Sequence, residues 1–142
     1  RRFTFLGKIK KASIYDDYAH HPTEIKASYD IAKQISQNRI IVVFQPHRYS
    51  RTKILINEFV KELKEIDILY VLDIYAAGEK PIKKISSQNL VKKIKIKNKN
   101  VFYLNNKVNL NSTLKKYYNS DNTIIFMGAG SITTMAHTLI SR

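Results

Sequence analysis

The feature that most constrains the fold of this chain is the alternation of short, unbroken apolar runs with amphipathic stretches. Three runs rich in β-branched residues lie at 39–45, 67–75 and 122–130. Runs of this kind are typical of parallel strands that are covered on both faces. Because helical patterns separate them, the sequence predicts a single α/β domain over residues 1–142. Its sheet is expected to be doubly wound and mostly parallel, with helices on both faces.

Two helices can be predicted in some detail. The first follows Pro22, a residue suited to the first helical position, and its apolar residues recur at helical spacing: Ile25, Tyr29, Ala32 and Ile35. The second has Ser50 as a candidate N-cap and a continuous apolar face: Leu55, Phe59, Leu63 and Ile66. Shorter elements are expected further along: strands at 13–16 and 101–104, and helices at 86–96, 111–119 and 131–142.

Composition excludes several classes of protein. Hydrophobic residues make up 44% and charged residues 25% of the 142 residues, which is typical of a globular chain. The absence of cysteine excludes disulfides and thiolate metal sites. The apolar runs are too short to cross a bilayer, and the basic start lacks the apolar segment of a signal peptide. We therefore expect a cytoplasmic protein without a membrane partner.

The formal charge of +14 raises the alternative of a nucleic-acid-binding module. Lysine supplies most of this charge and is densest at residues 84–99, whereas arginine, which reads phosphates and bases in a planar fashion, is scarce away from the termini. We interpret the lysines as a solvated surface and do not expect a nucleic-acid partner. The alternative predicts salt-sensitive binding to DNA or RNA that depends on residues 80–99.

Four polar or glycine-rich clusters follow the predicted strands: "DDYAHHP", "QPHRYSR", "YAAGEKP" and "MGAGS". Doubly wound sheets bind their ligands at the carboxyl ends of the strands, where these clusters are expected to meet. The sequence contains no GxxxxGK[ST] loop, GxSxG elbow or HExxH motif. The last cluster lacks the third glycine of a dinucleotide fingerprint, so NAD is not an expected ligand.

In the first cluster, Asp16 and Asp17 are adjacent and should point to opposite faces of the sheet. An aspartate at this point can bind a ribose or cap the turn. Pro22 favours a structural role for His21 at the helix start, whereas His20 is freer to face a ligand. Adjacent histidines point apart and no third ligand has a recognisable spacing, so a metal site is not expected.

In the second cluster, Arg48 and Arg51 flank the start of a helix, with His47 beside them. Two cations at the positive end of a helix dipole are locally unfavourable unless an anion lies between them. A bound phosphate or carboxylate would explain the arrangement, with free backbone N–H groups contributing. An acid from a neighbouring loop is the alternative. Glu79 could orient an arginine or be solvated.

Taken in order, "DDYAHHPTEI", "VVFQPHRYSRT", "YAAGEKPI" and "MGAGSI" resemble the C-terminal domain of the Mur ligases over essentially the whole chain. Within that family they are most similar to the members that join L-alanine to UDP-N-acetylmuramate. The members that recycle murein tripeptide share the first segment and are the second choice. The chain departs from the usual pattern at Ala76, where the family has proline, and at Ser131, which replaces an acid or amide but is expected still to cap a helix.

The resemblance implies an ATP-dependent, amide-bond-forming ligase of peptidoglycan synthesis that works through an acyl phosphate. This chain would be the third of three domains, with residues 1–10 at the junction to a central domain that carries the P-loop and the Mg²⁺ ligands. Its partners would be ATP, UDP-N-acetylmuramate, L-alanine and the rest of the ligase chain. The isolated domain is expected to be inactive.

The resemblance also implies roles for individual residues. Asp17 would contact the ATP ribose, and Arg2 would lie near the nucleotide. The L-alanine pocket would be lined by a further set, with His47 adjacent to it: Tyr18, His20, Arg48 and Arg51. His20 is the candidate for removing a proton from the alanine ammonium group, and His47 competes with it.

Overall fold

The computed structural model describes residues 2–141. Its strands are β1 (Thr4–Ile9), β2 (Ala12–Asp17), β3 (Ile40–Phe44), β4 (Ile68–Leu72), β5 (Val101–Leu104) and β6 (Thr123–Met127). Its α-helices are α1 (Pro22–Ile35), α2 (Tyr49–Ile54), α3 (Ile56–Leu63), α4 (Ser87–Lys95), α5 (Leu110–Leu114) and α6 (Ile132–Ile140). A single 3₁₀ turn, Lys115–Tyr117, follows α5.

The six strands form one sheet in the order β1-β2-β6-β3-β4-β5. All neighbouring strands are parallel except β1, which pairs antiparallel with β2. This topology confirms the predicted doubly wound α/β fold. β1 was not predicted: it is an edge strand without a buried residue, so it lacks the continuous apolar run that identified the others. Residues 4–9, which lie in the expected junction, therefore belong to the sheet.

Alternate residues of the central strands enter two separate cores, one on each face of the sheet, because successive strand side chains point in opposite directions. One core packs under α1, α3 and α4 and takes, among others, Val42, Phe44, Val71 and Met127. The other packs under α5 and α6 and takes Ile41, Val43, Tyr70 and Phe126. The chain thus covers both faces of its own sheet.

Helix α1 begins at Pro22, as predicted. His21 is its N-cap and accepts a hydrogen bond from the Thr23 N–H at 3.2 Å, which confirms the structural role expected for this histidine. Glu24 completes a capping box with the backbone of His21. Ile35 continues the helical spacing of apolar residues but does not join the core, since it is 48% exposed in the last turn.

The single helix predicted from residue 50 is two helices. The chain turns at Leu55, with φ −105° and ψ 19°, which ends α2 and begins α3. Neither proline nor glycine marks this break, so the spacing of the apolar residues predicted one continuous helix. Ser50 is not the N-cap: Arg48 holds that position, and Ser50 is the second helical residue.

Among residues 2–141, none of the helices combines the length and the apolar character that crossing a bilayer requires.

Candidate functional site

Three of the loops at the carboxyl edge of the sheet meet through a row of aromatic rings. The Tyr18 and His20 rings lie 5.0 Å apart, centre to centre, and the His20 and His47 rings 5.6 Å apart. His47 stacks on Tyr75 at 5.6 Å with an interplanar angle of 18°. The loop after β2, here called the Asp17 loop (17–21), and the loop after β3, here called the arginine loop (45–48), are therefore neighbours, as the sequence predicted. The loop after β4 lies beside them.

Asp16 and Asp17 lie on opposite faces of the sheet, as their adjacency predicted. Asp16 accepts a hydrogen bond from Thr133 Oγ1 at 2.6 Å, on the face covered by α6. Asp17 is fully buried on the other face and accepts hydrogen bonds from Ser28 Oγ at 2.6 Å and from the Ala19 N–H at 2.8 Å. The two carboxylates therefore have separate environments and do not form an acid–base pair.

The carboxylate of Asp17 also fixes the segment that enters β1. It accepts the Phe3 N–H at 3.2 Å, and its Oδ1 lies 3.6 Å from Nε of Arg2. Both of its oxygens are thus engaged in this conformation, and a ribose could reach them only if this segment moved aside. The guanidinium of Arg2, by contrast, belongs to a side chain that is 52% exposed and can meet a ligand directly.

Glu24 connects the two sides of this loop. Its Oε1 accepts the N–H groups of His20 and His21 at 3.1 and 3.0 Å, and its Oε2 lies 3.8 Å from Nη1 of Arg2. Burial acts to raise the pKa of Glu24, but these hydrogen bonds and the charges of His20 and Arg2 together hold it below its ordinary value. The carboxylate therefore stays ionised and orders both the helix start and the first histidine.

The ring of His20 has a defined tautomer. Its Nδ1 lies 2.9 Å from the backbone oxygen of Tyr18, and because a carbonyl only accepts, we assign the proton of the neutral ring to Nδ1. The Nε2 atom of the neutral ring is then an acceptor. The side chain of His20 is 16% exposed, so a small part of the ring can be reached from solvent.

The start of α2 is stabilised from outside the helix. Glu79, in the loop after β4, accepts the Ser50 N–H at 3.0 Å and also the Ser50 hydroxyl. The hydrogen bonds from Ser50, followed by those of the Tyr49 backbone and the charge of Arg48, lower the pKa of Glu79. The expectation that the N–H groups of this helix start are free for a ligand was therefore wrong at Ser50, because an internal carboxylate already binds there.

His47 lies between the two arginines and the β4 loop. Its Nδ1 is 3.5 Å from Nη1 of Arg51, and since a guanidinium only donates, the proton of the neutral ring belongs on Nε2. Burial lowers the pKa of His47, as do the charges of His20, Arg51 and Arg48. The ring is therefore neutral near pH 7 and packs between cations without adding charge.

The guanidinium groups of Arg48 and Arg51 are further cations at this edge. Among residues 2–141, neither lies within 4.0 Å of a carboxylate oxygen. Arg48 is exposed and Arg51 half-buried beside His47. The alternative was that an acid from a neighbouring loop pairs with one of these arginines. Glu79 does come from a neighbouring loop, but it binds Ser50 between the two arginines and leaves both guanidiniums open to an anion.

The glycine-rich cluster after β6 supports Tyr75. A Cβ at Gly130 would lie 2.5 Å from the Tyr75 ring, so only glycine allows this contact. Gln45 binds the same loop: its Oε1 accepts the Ile132 N–H at 3.2 Å, and its amide donates to Ser131 Oγ at 3.0 Å. Ser131 is the N-cap residue of α6, as expected, but its side chain makes no capping hydrogen bond; Gln45 Oε1 accepts the Ile132 N–H instead.

The sequence did not predict the roles of three residues of the site: Gln45, Tyr75 and Glu79. Each acts on a loop that is distant in sequence, which a local pattern does not reveal.

A groove of about 630 Å³ lies elsewhere, between the loop after β5 and α6, and contains none of the expected site residues. Within residues 2–141, no group of three or more His, Asp or Glu side chains could hold a metal ion.

Comparison with known proteins defines the family. The model of the family described as "Mur ligase, glutamate ligase domain" matches residues 1–130. The chain belongs to the Mur ligase family. The family assignment agrees with the motifs at the strand ends and with the sheet topology.

Individual relatives agree with this assignment. A UDP-N-acetylmuramate–L-alanine ligase of Rickettsia felis is 46% identical over 148 residues, covering 100% of this chain and 31% of the relative. A crystal structure of UDP-N-acetylmuramate-alanine ligase from Thermotoga maritima superimposes with a TM-score of 0.73 at 27% identity, covering 100% of this chain and 29% of that one. A murein peptide ligase from Psychrobacter arcticus has a TM-score of 0.77 at 16% identity, with 99% and 29% coverage, and so shares the fold. The chain thus spans about 30% of the length of the curated relatives it matches.

Proposed function

We propose that this chain is the C-terminal, third domain of an ATP-dependent ligase that joins L-alanine to UDP-N-acetylmuramate in peptidoglycan synthesis. The main support is the convergence of Arg48 and Arg51 with His20 at one edge of the sheet. The names of the relatives supply the substrates, and residues 1–10 would join the central domain. ATP chemistry of this kind places the enzyme in the cytoplasm.

In this proposal the two guanidiniums bind the carboxylate of the incoming alanine. Arg51 lies beside His47, the charge of Arg48 also acts on that ring, and planar guanidinium donors suit a carboxylate. We place Tyr18 and His20 on the other side of the alanine. The centre of the His20 ring lies 5.6 Å from the centre of the His47 ring. With its carboxylate held, the amine points towards the acyl phosphate, and orientation of a nucleophile removes much of the entropic barrier.

The hydrogen-bond partners favour His20 over His47 as the proton acceptor. The Nδ1–H of His20 is bound to Tyr18, so its Nε2 can take a proton from the alanine ammonium group. His47 holds its own proton on Nε2 and directs Nδ1 at Arg51. The freed amine then attacks the carbonyl carbon of the acyl phosphate. The tetrahedral intermediate breaks its bond to the phosphate oxygen, which leaves as inorganic phosphate.

The nucleotide would lie on the other side of the Asp17 loop. Arg2 offers an exposed guanidinium to it, and Asp17 holds Arg2 in place or, after a shift of residues 2–3, binds the ribose itself. Glu24 contacts both Arg2 and His20, which ties the nucleotide side to the alanine side. We assign Mg²⁺ and the phosphate cradle to the central domain, as the resemblance implies.

The test is phosphate release by the full-length protein that contains this chain. We expect release from ATP only when UDP-N-acetylmuramate and L-alanine are both present, and no release by residues 1–142 alone. Release that ignores L-alanine would contradict the proposal, and release that requires a murein tripeptide instead would assign the chain to the recycling ligases.

Within that assay, Arg48→Ala and Arg51→Ala test the carboxylate-binding role. Each removes a charge-assisted hydrogen bond, so the KM for L-alanine should rise about 10- to 100-fold while the KM for ATP stays within about twofold. Lys53→Ala, an exposed cation on the same helix, is the matched control. Equal increases in both KM values would remove the arginines from the alanine pocket.

A further inference from the structure

The backbone of Arg48 adopts a conformation that side chains rarely occupy. Its φ is 75° and its ψ 138°, a region that belongs almost entirely to glycine. Strained residues of this kind persist only where the surroundings fix them, and they concentrate at functional sites. Because the strain lies on one of the two proposed alanine-binding arginines, the contacts that hold it determine where that guanidinium points.

Backbone contacts fix Arg48 on both sides. Its N–H donates to the Tyr75 oxygen at 2.8 Å, and the Tyr75 N–H in turn donates to the Pro46 oxygen at 2.8 Å. Its carbonyl oxygen accepts the Thr52 N–H at 3.2 Å and the Thr52 hydroxyl at 2.8 Å. The strained residue thus connects the loop after β4 with the first turn of α2.

Glu79 closes this connection. It lies 29 positions from Ser50, whose N–H and hydroxyl it accepts. Its own turn is tight: the Glu79 N–H donates to the Ala76 oxygen at 3.0 Å, and Ala77 and Gly78 have φ of 52° and 88°. Two unusual backbone segments therefore face each other, and the carboxylate of Glu79 is the side-chain group that joins them.

We propose that Glu79 is a positioning residue for amino-acid binding, an inference that rests on the proposed function. Its carboxylate fills the start of α2, so the substrate carboxylate meets only the guanidiniums of Arg48 and Arg51. By holding Ser50, it also fixes the turn that carries both arginines. Glu79 itself does not contact the substrate; it acts through the geometry of α2.

The test is steady-state kinetics of the full-length protein with Glu79→Ala, Glu79→Gln and Ser50→Ala. Glu79→Ala removes both hydrogen bonds and should raise the KM for L-alanine about tenfold. Glu79→Gln retains one acceptor oxygen, and Ser50→Ala retains the backbone bond, so each should show a smaller increase. The KM for ATP should stay within about twofold in all three, since the nucleotide side depends on Arg2.

Glu65→Gln, an exposed carboxylate at the end of the α3 segment, is the matched control and should change neither KM. Equal increases in both KM values would show a general structural role and overturn the proposal, as would an unchanged KM for L-alanine in Glu79→Ala. Failure of the proposed function is distinguishable, because the unmodified protein would then show no dependence on L-alanine.

Discussion

The starts of α1 and α2 flank the proposed alanine site but are built in opposite ways. Helix α1 carries its own cap: His21 accepts the Thr23 N–H, Glu24 accepts the His20 and His21 N–H groups, and Pro22 has no N–H that needs a partner. Helix α2 has no side-chain cap of its own, begins at a strained arginine and borrows the carboxylate of Glu79. Local capping makes a rigid start that holds His20, whereas distant capping leaves the arginines dependent on another loop.

This difference separates stability from binding. The α1 cap serves the fold, and its one proposed functional neighbour, His20, is oriented by its own loop. The α2 start gives up a favourable conformation at Arg48 and an acidic first turn, both of which would stabilise an ordinary helix. Within residues 2–141, neither the Arg48 nor the Arg51 guanidinium has a carboxylate oxygen within 4.0 Å. Changes at α1 should therefore alter unfolding alone, whereas changes around α2 should also alter substrate binding.

The largest expected effect comes from the loop that supports the α2 start. A Cβ at Gly130 would lie 2.5 Å from the Tyr75 ring and 2.8 Å from Gln45 Oε1, so Gly130→Ala should lower the free energy of unfolding by about 2 kcal/mol. Urea unfolding of the chain measures this loss. Gly78→Ala is the matched control: its φ is 88° but nothing lies within 4 Å, so it should lose only about 1 kcal/mol.

Relief of strain at Arg48 should act in the other direction. Arg48→Gly removes the conformational penalty and should raise the free energy of unfolding by about 1 kcal/mol, net of the entropy that glycine loses on folding. Arg48→Ala removes the same guanidinium but retains a Cβ, and it should give no such gain. Equal stabilities of the two variants, measured by urea unfolding, would show that the backbone at this position is not strained.

Loss of the local cap should affect the fold alone. His21→Ala removes the acceptor of the Thr23 N–H and should lower the free energy of unfolding by about 1 kcal/mol, with an unchanged KM for L-alanine in the full-length protein. Ser50→Ala is its counterpart at α2 and should raise that KM. An increase of this KM in His21→Ala as well would show that the two helix starts do not differ in their effect on binding.

The smallest expected effect is a pH dependence that involves His47. Its pKa in the folded chain lies below the ordinary value of 6.5, because it is partly buried beside His20, Arg51 and Arg48, with Glu79 acting weakly in the opposite direction. The unfolded chain therefore binds the proton more readily. The stability from neutral His47 is present above pH 6.5 and is lost as the pH falls through the lowered folded value.

His47→Gln lacks this titration and should lose less stability than the unmodified chain between pH 7 and pH 5, as followed by urea unfolding. Parallel pH profiles for the two chains would contradict the lowered pKa. The other histidines are present in both chains, so the difference between the profiles reports on His47.

The same contrast explains which features the sequence could predict. The start of α1 could be predicted because its determinants are contiguous in sequence: a capping histidine, a proline and a glutamate within one turn. The central strands were readable because both faces are buried. The convergence of the His20 and Arg48 loops followed from the rule that ligands of a doubly wound sheet bind at the carboxyl ends of its strands, which needs no side-chain detail.

Non-local determinants were missed. The acceptor for Ser50 lies 29 positions away, and the amide that caps α6 comes from Gln45, 87 positions before Ile132. Nothing local distinguishes Ser50 from an ordinary N-cap, and nothing local shows that Ser131, which is the N-cap of α6, makes no capping bond with its side chain. The exposed strand β1 and the break at Leu55 depend on tertiary packing, which the apolar pattern alone does not describe.

The most direct test of this account is a crystal structure of the full-length protein with L-alanine and a non-hydrolysable ATP analogue. We expect the alanine carboxylate within hydrogen-bonding distance of the Arg48 and Arg51 guanidiniums, the amine beside Nε2 of His20, and Glu79 still bound to the Ser50 N–H. An alanine carboxylate that displaces Glu79 from Ser50, or that binds away from both arginines, would contradict it.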